Sequence, residues 1–140
     1  MEATVEAVIK DINMSLRERK LLQLIERTQL SADLKAILSD LVKVTVKVGS
    51  KILAIGRKIL TFVLDLVKTF PAIAMGTIAA LVITAVVGAI PVFGAAIAAF
   101  LGPILLALGI TAGALKDFTN DKLNERITAL VDSFRVLVEV

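Results

Sequence analysis

Between Thr69 and Leu115 the chain runs for 47 residues without one charged side chain, and the run is divided near its middle by Gly88-Ala-Ile-Pro-Val-Phe-Gly94. A bilayer core about 30 Å thick takes roughly 17 to 25 apolar residues at about 1.5 Å rise each. Ala72 to Ala89 and Ala95 to Ala114 supply 18 and 20. The run therefore predicts a hairpin of two membrane-length arms. Only internally hydrogen-bonded backbone survives in lipid, so both arms are expected to be helical, with the irregular stretch at Pro91 at an interface or under protein. Lys68 closes the run on one side, and Lys116 with Asp117 on the other, so two passes leave both flanks in one compartment. Met1 to Lys68 carries 12 Lys and Arg against 8 Asp and Glu. Positive-inside logic then puts both termini in the cytoplasm, at an inner or cytoplasmic membrane, for insertion from that side; a soluble form is compatible with the same sequence.

The 140 residues amount to about one domain, and their 57% apolar content exceeds the roughly 45 to 50% usual for soluble domains, the excess lying in the hairpin. A net charge of +3 with no aromatic platform among the basic residues argues against a nucleic-acid partner. Cys, His, Tyr and Trp are all absent. Without the first three, the usual nucleophile–base pairs, thiolate sites and imidazole metal sites cannot be assembled. The acidic residues are scattered over amphipathic stretches as solvated faces, so no enzyme, cofactor or metal is expected. The start, Met1-Glu-Ala-Thr-Val-Glu-Ala-Val-Ile-Lys10-Asp11, does not have the form of a cleaved secretory signal.

Ahead of the hairpin the pattern is helical. Val5, Val8, Ile9 and Ile12 fall at spacings of three and four. Ser15-Leu-Arg-Glu18 has the form of a capping box opening a second helix to about Thr28, and Ser31 with Asp33 starts a third to about Val44. Lys43-Val-Thr-Val-Lys-Val48 alternates every second residue and would suit a short strand stopped by Gly49-Ser50. A continuous amphipathic helix accounts for more residues: Val44, Val48, Ile52, Ile55, Ile59, Phe62 and Leu66 advance by three or four, with Lys43, Lys47, Lys51 and Lys58 on the complementary side. From Lys43 to Lys68, six basic residues (Lys43, Lys47, Lys51, Arg57, Lys58, Lys68) face a single Asp, the composition of a helix lying on an anionic membrane surface. An ordinary surface helix over a core has the same pattern. Asp117 to Val140 is expected to form one amphipathic helix. The predicted fold is a single all-α, membrane-active domain over residues 1–140. Amphipathic helices (1–68 and 116–140) lie around or beside a central hydrophobic helical hairpin (69–115).

Small residues recur every fourth position in the hairpin: Ala72, Gly76 and Ala80, then Ala98 with Gly102 and Gly109 with Gly113. Such rows let helix backbones approach closely in lipid and point to pairing within the hairpin or between copies, that is, to a homo-oligomer. Pro103 is expected to kink or interrupt the second arm. The inserting set thus comprises these residues with Gly88, Pro91 and Gly94 around the turn and Val82 and Leu105 within the arms. A charge at Val82 or Leu105 is expected to impair insertion. The absence of Trp and Tyr at the water–lipid boundaries favours a hairpin that is not permanently inserted.

The stretch Gly109-Ile-Thr-Ala-Gly-Ala-Leu-Lys-Asp-Phe-Thr-Asn-Asp-Lys-Leu-Asn-Glu-Arg-Ile127 resembles the end of the pore-forming domain of colicins, where a Gly/Ala-rich hairpin gives way to a short amphipathic helix. By pattern the resemblance reaches back to Ile73. It implies a water-soluble bundle that opens at a membrane, inserts residues 72–89 and 95–114, and forms a voltage-dependent channel as a toxin module. Only about 68 residues precede the hairpin, fewer than in that family, and no receptor-binding or translocation region accompanies it. The leading expectation is a protein that permeabilises or depolarises an anionic bilayer as an oligomer. The alternatives are a non-conducting scaffold or anchor, a holin-like phage protein, and a soluble bundle with a buried hairpin.

Overall fold

The computed structural model describes residues 4–138. Among them are eight helices and one small β-hairpin: α1 (Val5–Asn13), α2 (Glu18–Glu26), α3 (Ala32–Val42), β1 (Val46–Val48), β2 (Lys51–Leu53), α4 (Ile55–Thr69), α5 (Met75–Ala89), α6 (Pro91–Leu108), α7 (Ala112–Asp117) and α8 (Asp121–Val138). The fold is essentially all-α, with the hydrophobic hairpin α5–α6 at its centre.

Side-chain caps set several of the starts. Thr4 Oγ1 accepts from the Ala7 amide, Ser31 Oγ from Leu34, Thr111 Oγ1 from Ala114 and Asn120 Oδ1 from Leu123. The capping box expected at Ser15 does not form. Arg17 occupies the cap of α2 without a side-chain hydrogen bond, and the Ser15 hydroxyl is buried with no partner. The α1–α2 turn is instead drawn onto α4: Leu16 N–H donates to Thr61 Oγ1, while Arg57 Nε and Nη2 donate to the Leu16 and Ser15 carbonyls at 2.9 Å.

The expected continuous amphipathic helix carrying Val44 to Leu66 is replaced by β1, β2 and α4. Lys47 pairs with Ile52 and Val48 with Lys51 across a Gly49-Ser50 turn, with Gly49 at φ +62°. A two-residue loop with Gly first and φ above zero matches the twist of a hairpin, and a glycine within a run of β-branched residues disfavours helix. Val46 and Leu53 face the core. The α3–α4 corner is closed by Gly56, whose N–H donates to the Val44 carbonyl and whose Cα lies so close to the Leu41 carbonyl that a Cβ would collide with it.

α5 is the core helix, apolar on every side as a wholly buried helix must be. Of its residues only Gly88 is exposed, and it packs against α4, α6, α7 and α8. α4 in turn carries α1, α2 and α3. α8 lies across α1 and α5 and meets the start of α6 through Phe93 and Phe134, edge to face at 5.2 Å. The segment expected as one helix from Asp117 breaks at Phe118, which is extended, and restarts where Asn120 caps α8.

Candidate membrane-facing surface

The two arms differ in length and exposure. α5 has 15 residues, a span of about 22 Å at the helical rise, and starts at Met75, leaving Ala72 in the α4–α5 connection. α6 has 18 residues and begins at Pro91. Pro91 is therefore the first residue of a helix, where its missing N–H costs nothing, and the irregular stretch shrinks to the buried Ile90. The expectation of two membrane-length arms is corrected accordingly: among the described helices α6 alone is long and apolar enough to cross a membrane.

Only Phe93, Gly94, Ile97, Ile104 and Leu105 of α6 are buried. Val92, Ala95, Ala98, Ala99, Gly102, Pro103 and Leu106 are exposed, Leu106 by 83%. Their spacing places them on one side of the helix, an uncharged face about 21 Å long from Val92 to Leu106. α3 borders it. Ile37 and Asp40 line a cleft with Ala99, Phe100 and Pro103, whereas Asp33 and Ala36 line the next with Leu106 and Ala107, so the two helices run antiparallel. α6 continues through Pro103 without interruption. Gly102 lacks the Cβ that would meet the proline ring from the preceding position, which eases the helical backbone there.

The expected inserting residues thus divide into two groups. Pro91, Ala98, Gly102 and Pro103 lie on the outward side, with Gly109 just past its end. Gly76, Ala80, Val82, Gly94 and Leu105 are buried. Gly94 seats against Val87, where a Cβ would come within 2.9 Å of its Cα, and Gly76 against the side chains of Leu108 and Leu34. Those two glycines are the close approaches of the hairpin. Gly109 is a left-handed C-cap at φ +71° and Gly113 lies in α7, so these two do not form a helical row. Gly88 is exposed with open space around it. Of the outward residues, Val92 falls outside the expected inserting ranges, and Ala95, Ala99 and Leu106 fall within 95–114 without being singled out, because without charged neighbours nothing distinguishes the outward from the inward side.

The basic set is corrected in the same way. Lys43, Lys47, Lys51 and Lys68 are exposed. Arg57 is spent on the α1–α2 turn, and Lys58, with its side chain 15% exposed, pairs with Asp11 at 2.6 Å. These two brace the fold and are not surface cations. With Thr61 they make α4 the polar hub, to which Arg126 of α8 adds an ion pair with Asp65 at 3.0 Å. The hairpin is joined differently. Among the described residues, no hydrogen bond or ion pair links α5 or α6 to any other helix or strand; the Thr84 hydroxyl donates to Ala80 within its own helix.

Comparison with known protein families, curated proteins and solved structures finds no match for this chain.

Proposed function

We propose that this chain is a membrane-inserting helical protein that permeabilises or depolarises an anionic bilayer. The observation that carries the reading is the uncharged outward face of α6, which water solvates poorly and lipid would accept. Moving a largely exposed leucine such as Leu106 out of water contributes about 2 kcal/mol. The apolar seam around the hairpin supports the same reading. Because the joint between hairpin and shell is packing alone among the described residues, the hairpin's entry into lipid breaks no hydrogen bond or ion pair to the shell; the Ala99 carbonyl, left without a helical partner by Pro103, is the one backbone group inside α6 that needs a partner there. α5 is short for a second pass, but Pro71-Ala72-Ile73-Ala74 ahead of it is uncharged and Pro71 suits a first helical position. Extension through that connection brings α5 to about 28 Å. Ala95, Ala98, Ala99 and Gly102 on the outward side would let copies pack closely once in lipid, as an oligomer requires. The resemblance of residues 109–127 to colicin pore-forming domains agrees with this activity, which calls for no catalysis or cofactor.

The test is dye release from liposomes with flotation in parallel, comparing the wild type with Ala98→Asp. Ala98 is exposed near the middle of α6, so the substitution leaves the soluble fold within about 1 kcal/mol. A charge there lowers insertion roughly 70- to 400-fold if α6 enters the bilayer, from a cost of about 2.5 to 3.5 kcal/mol. Equal release by both proteins overturns the reading; binding by the wild type without release moves it to a non-conducting anchor.

A further inference from the structure

We infer that the β1–β2 hairpin is the lipid-docking element of this chain, with Ile52 entering the headgroup layer of an anionic bilayer while Lys43, Lys47 and Lys51 hold lipid phosphates. The inference deepens the membrane reading above and rests on it for the choice of partner. From Leu41 to Leu64 the sequence contains no acidic residue. Two cations of that stretch, Arg57 and Lys58, are consumed inside the fold, which leaves three lysines gathered on and beside one hairpin, all exposed and in no ion pair among the described residues.

Ile52 is the decisive residue. Lys47 and Ile52 are cross-strand partners, so they share a face, and it is the face turned away from the core that Val46 and Leu53 enter. Ile52 stands 71% exposed there. Lys51, paired with Val48, belongs to the other face and is exposed beside the Gly49-Ser50 turn, within reach of the same surface only from that end. Lysines on a short edge strand are explained by protection against strand pairing, but that purpose does not call for a large aliphatic side chain beside them. A cation and an aliphatic group side by side match a surface where phosphates overlie acyl chains. The element is also held firmly, since Val46 and Leu53 anchor it in the core.

Its position gives docking a consequence. α3 runs antiparallel to α6, so the chain leaves α3 toward the N-terminal half of α6, and β1 packs against α6. A membrane held by Lys43, Lys47 and Lys51 is thereby brought to the end of the molecule that carries the α5–α6 turn and the exposed Pro91 and Val92. The turn would meet the bilayer first.

The chain has no Trp, so Ile52→Trp provides a single-tryptophan reporter. With vesicles containing about one third phosphatidylglycerol its emission should shift to the blue and be quenched by a headgroup-level lipid quencher, and neither change should occur with phosphatidylcholine alone. The pair Lys47→Gln with Lys51→Gln should lower affinity for the anionic vesicles about 30-fold. Lys122→Gln on the exposed side of α8 should change it less than about twofold. Both positions in the pair are exposed, so the variants should keep the fold, with thermal melts as the check. Unshifted emission, or equal loss from the Lys122 variant, overturns the docking role, as does tight capture of an acidic polypeptide by the hairpin with no preference for anionic lipid. Ala98→Asp separates the two readings. Docking with loss of release supports both; wild-type docking that never leads to release leaves the docking role standing and removes the permeabilising one; release that is unaffected by the lysine pair does the reverse.

Discussion

Glycine is used in this chain in opposite ways that the sequence writes identically. Gly56 is packed so tightly on the Leu41 carbonyl that the α3–α4 corner admits no side chain, and Gly88 faces open space. Gly56→Ala should therefore destabilise by about 3 kcal/mol or more in urea unfolding followed by circular dichroism, because backbone has to move. Gly88→Ala should be neutral or stabilise by up to about 1 kcal/mol, through helix propensity alone. If the two behaved alike, the tight corner would not exist in solution. Arg57 shows the same limit on reading residues one at a time. In sequence it is one cation in a basic run; in the fold its guanidinium donates to the carbonyls of Leu16 and Ser15, across 41 and 42 positions of chain, and holds the α1–α2 turn, while the first amides of α2 take no side-chain cap. Similarly, Val82 and Leu105 are core residues, and a charge at either would report on folding before it reported on insertion.

At the scale of elements, α8 packs on α5 and also meets α6 where Phe134 touches Phe93, both fully buried. Phe134→Ala should cost about 3 to 5 kcal/mol, and a double-mutant cycle with Phe93→Ala should return a coupling of about 0.5 to 1.5 kcal/mol. Additive losses would mean that the rings do not touch. The hairpin itself was legible because an uncharged run of such length has few soluble or lipid solutions, and Ser31 announced α3 because a hydroxyl at a cap has a local partner. The β-hairpin was not, and the reason is arithmetical. Val44 and Val48 lie four apart, a spacing that is close to one helical turn and also a whole number of strand repeats, so both templates fit the same valines, and Ile52 extends only the helical one. Gly49 settles the matter only through its left-handed backbone. The break before α8 was missed because Phe118 reads as part of the apolar side that starts at Leu123, although five residues turn a helix by about 140°, and Asn120 between them prefers to cap.

On the scale of the whole molecule, two kinds of cohesion coexist. α4 gathers α1, α2 and α8 through directional bonds, whereas α5 and α6 are held inside by contact alone. The sequence revealed the partition into amphipathic and apolar parts, and the exposed apolar face lies on α6, within the uncharged run. Which side of α6 is turned outward depends on how α3 and α5 cover it, and an uncharged helix carries no mark of that. One consequence of the bondless seam concerns temperature. Apolar association weakens on cooling, while hydrogen bonds and ion pairs do not share that dependence. The joint between hairpin and shell should therefore be the first part of this fold to loosen in the cold. Binding of an apolar dye should rise between about 25 °C and 2 °C while helical circular dichroism holds steady; dye binding that stays flat would mean the seam is no more cold-sensitive than the rest. A protein joined in this way would be kept closed by warmth.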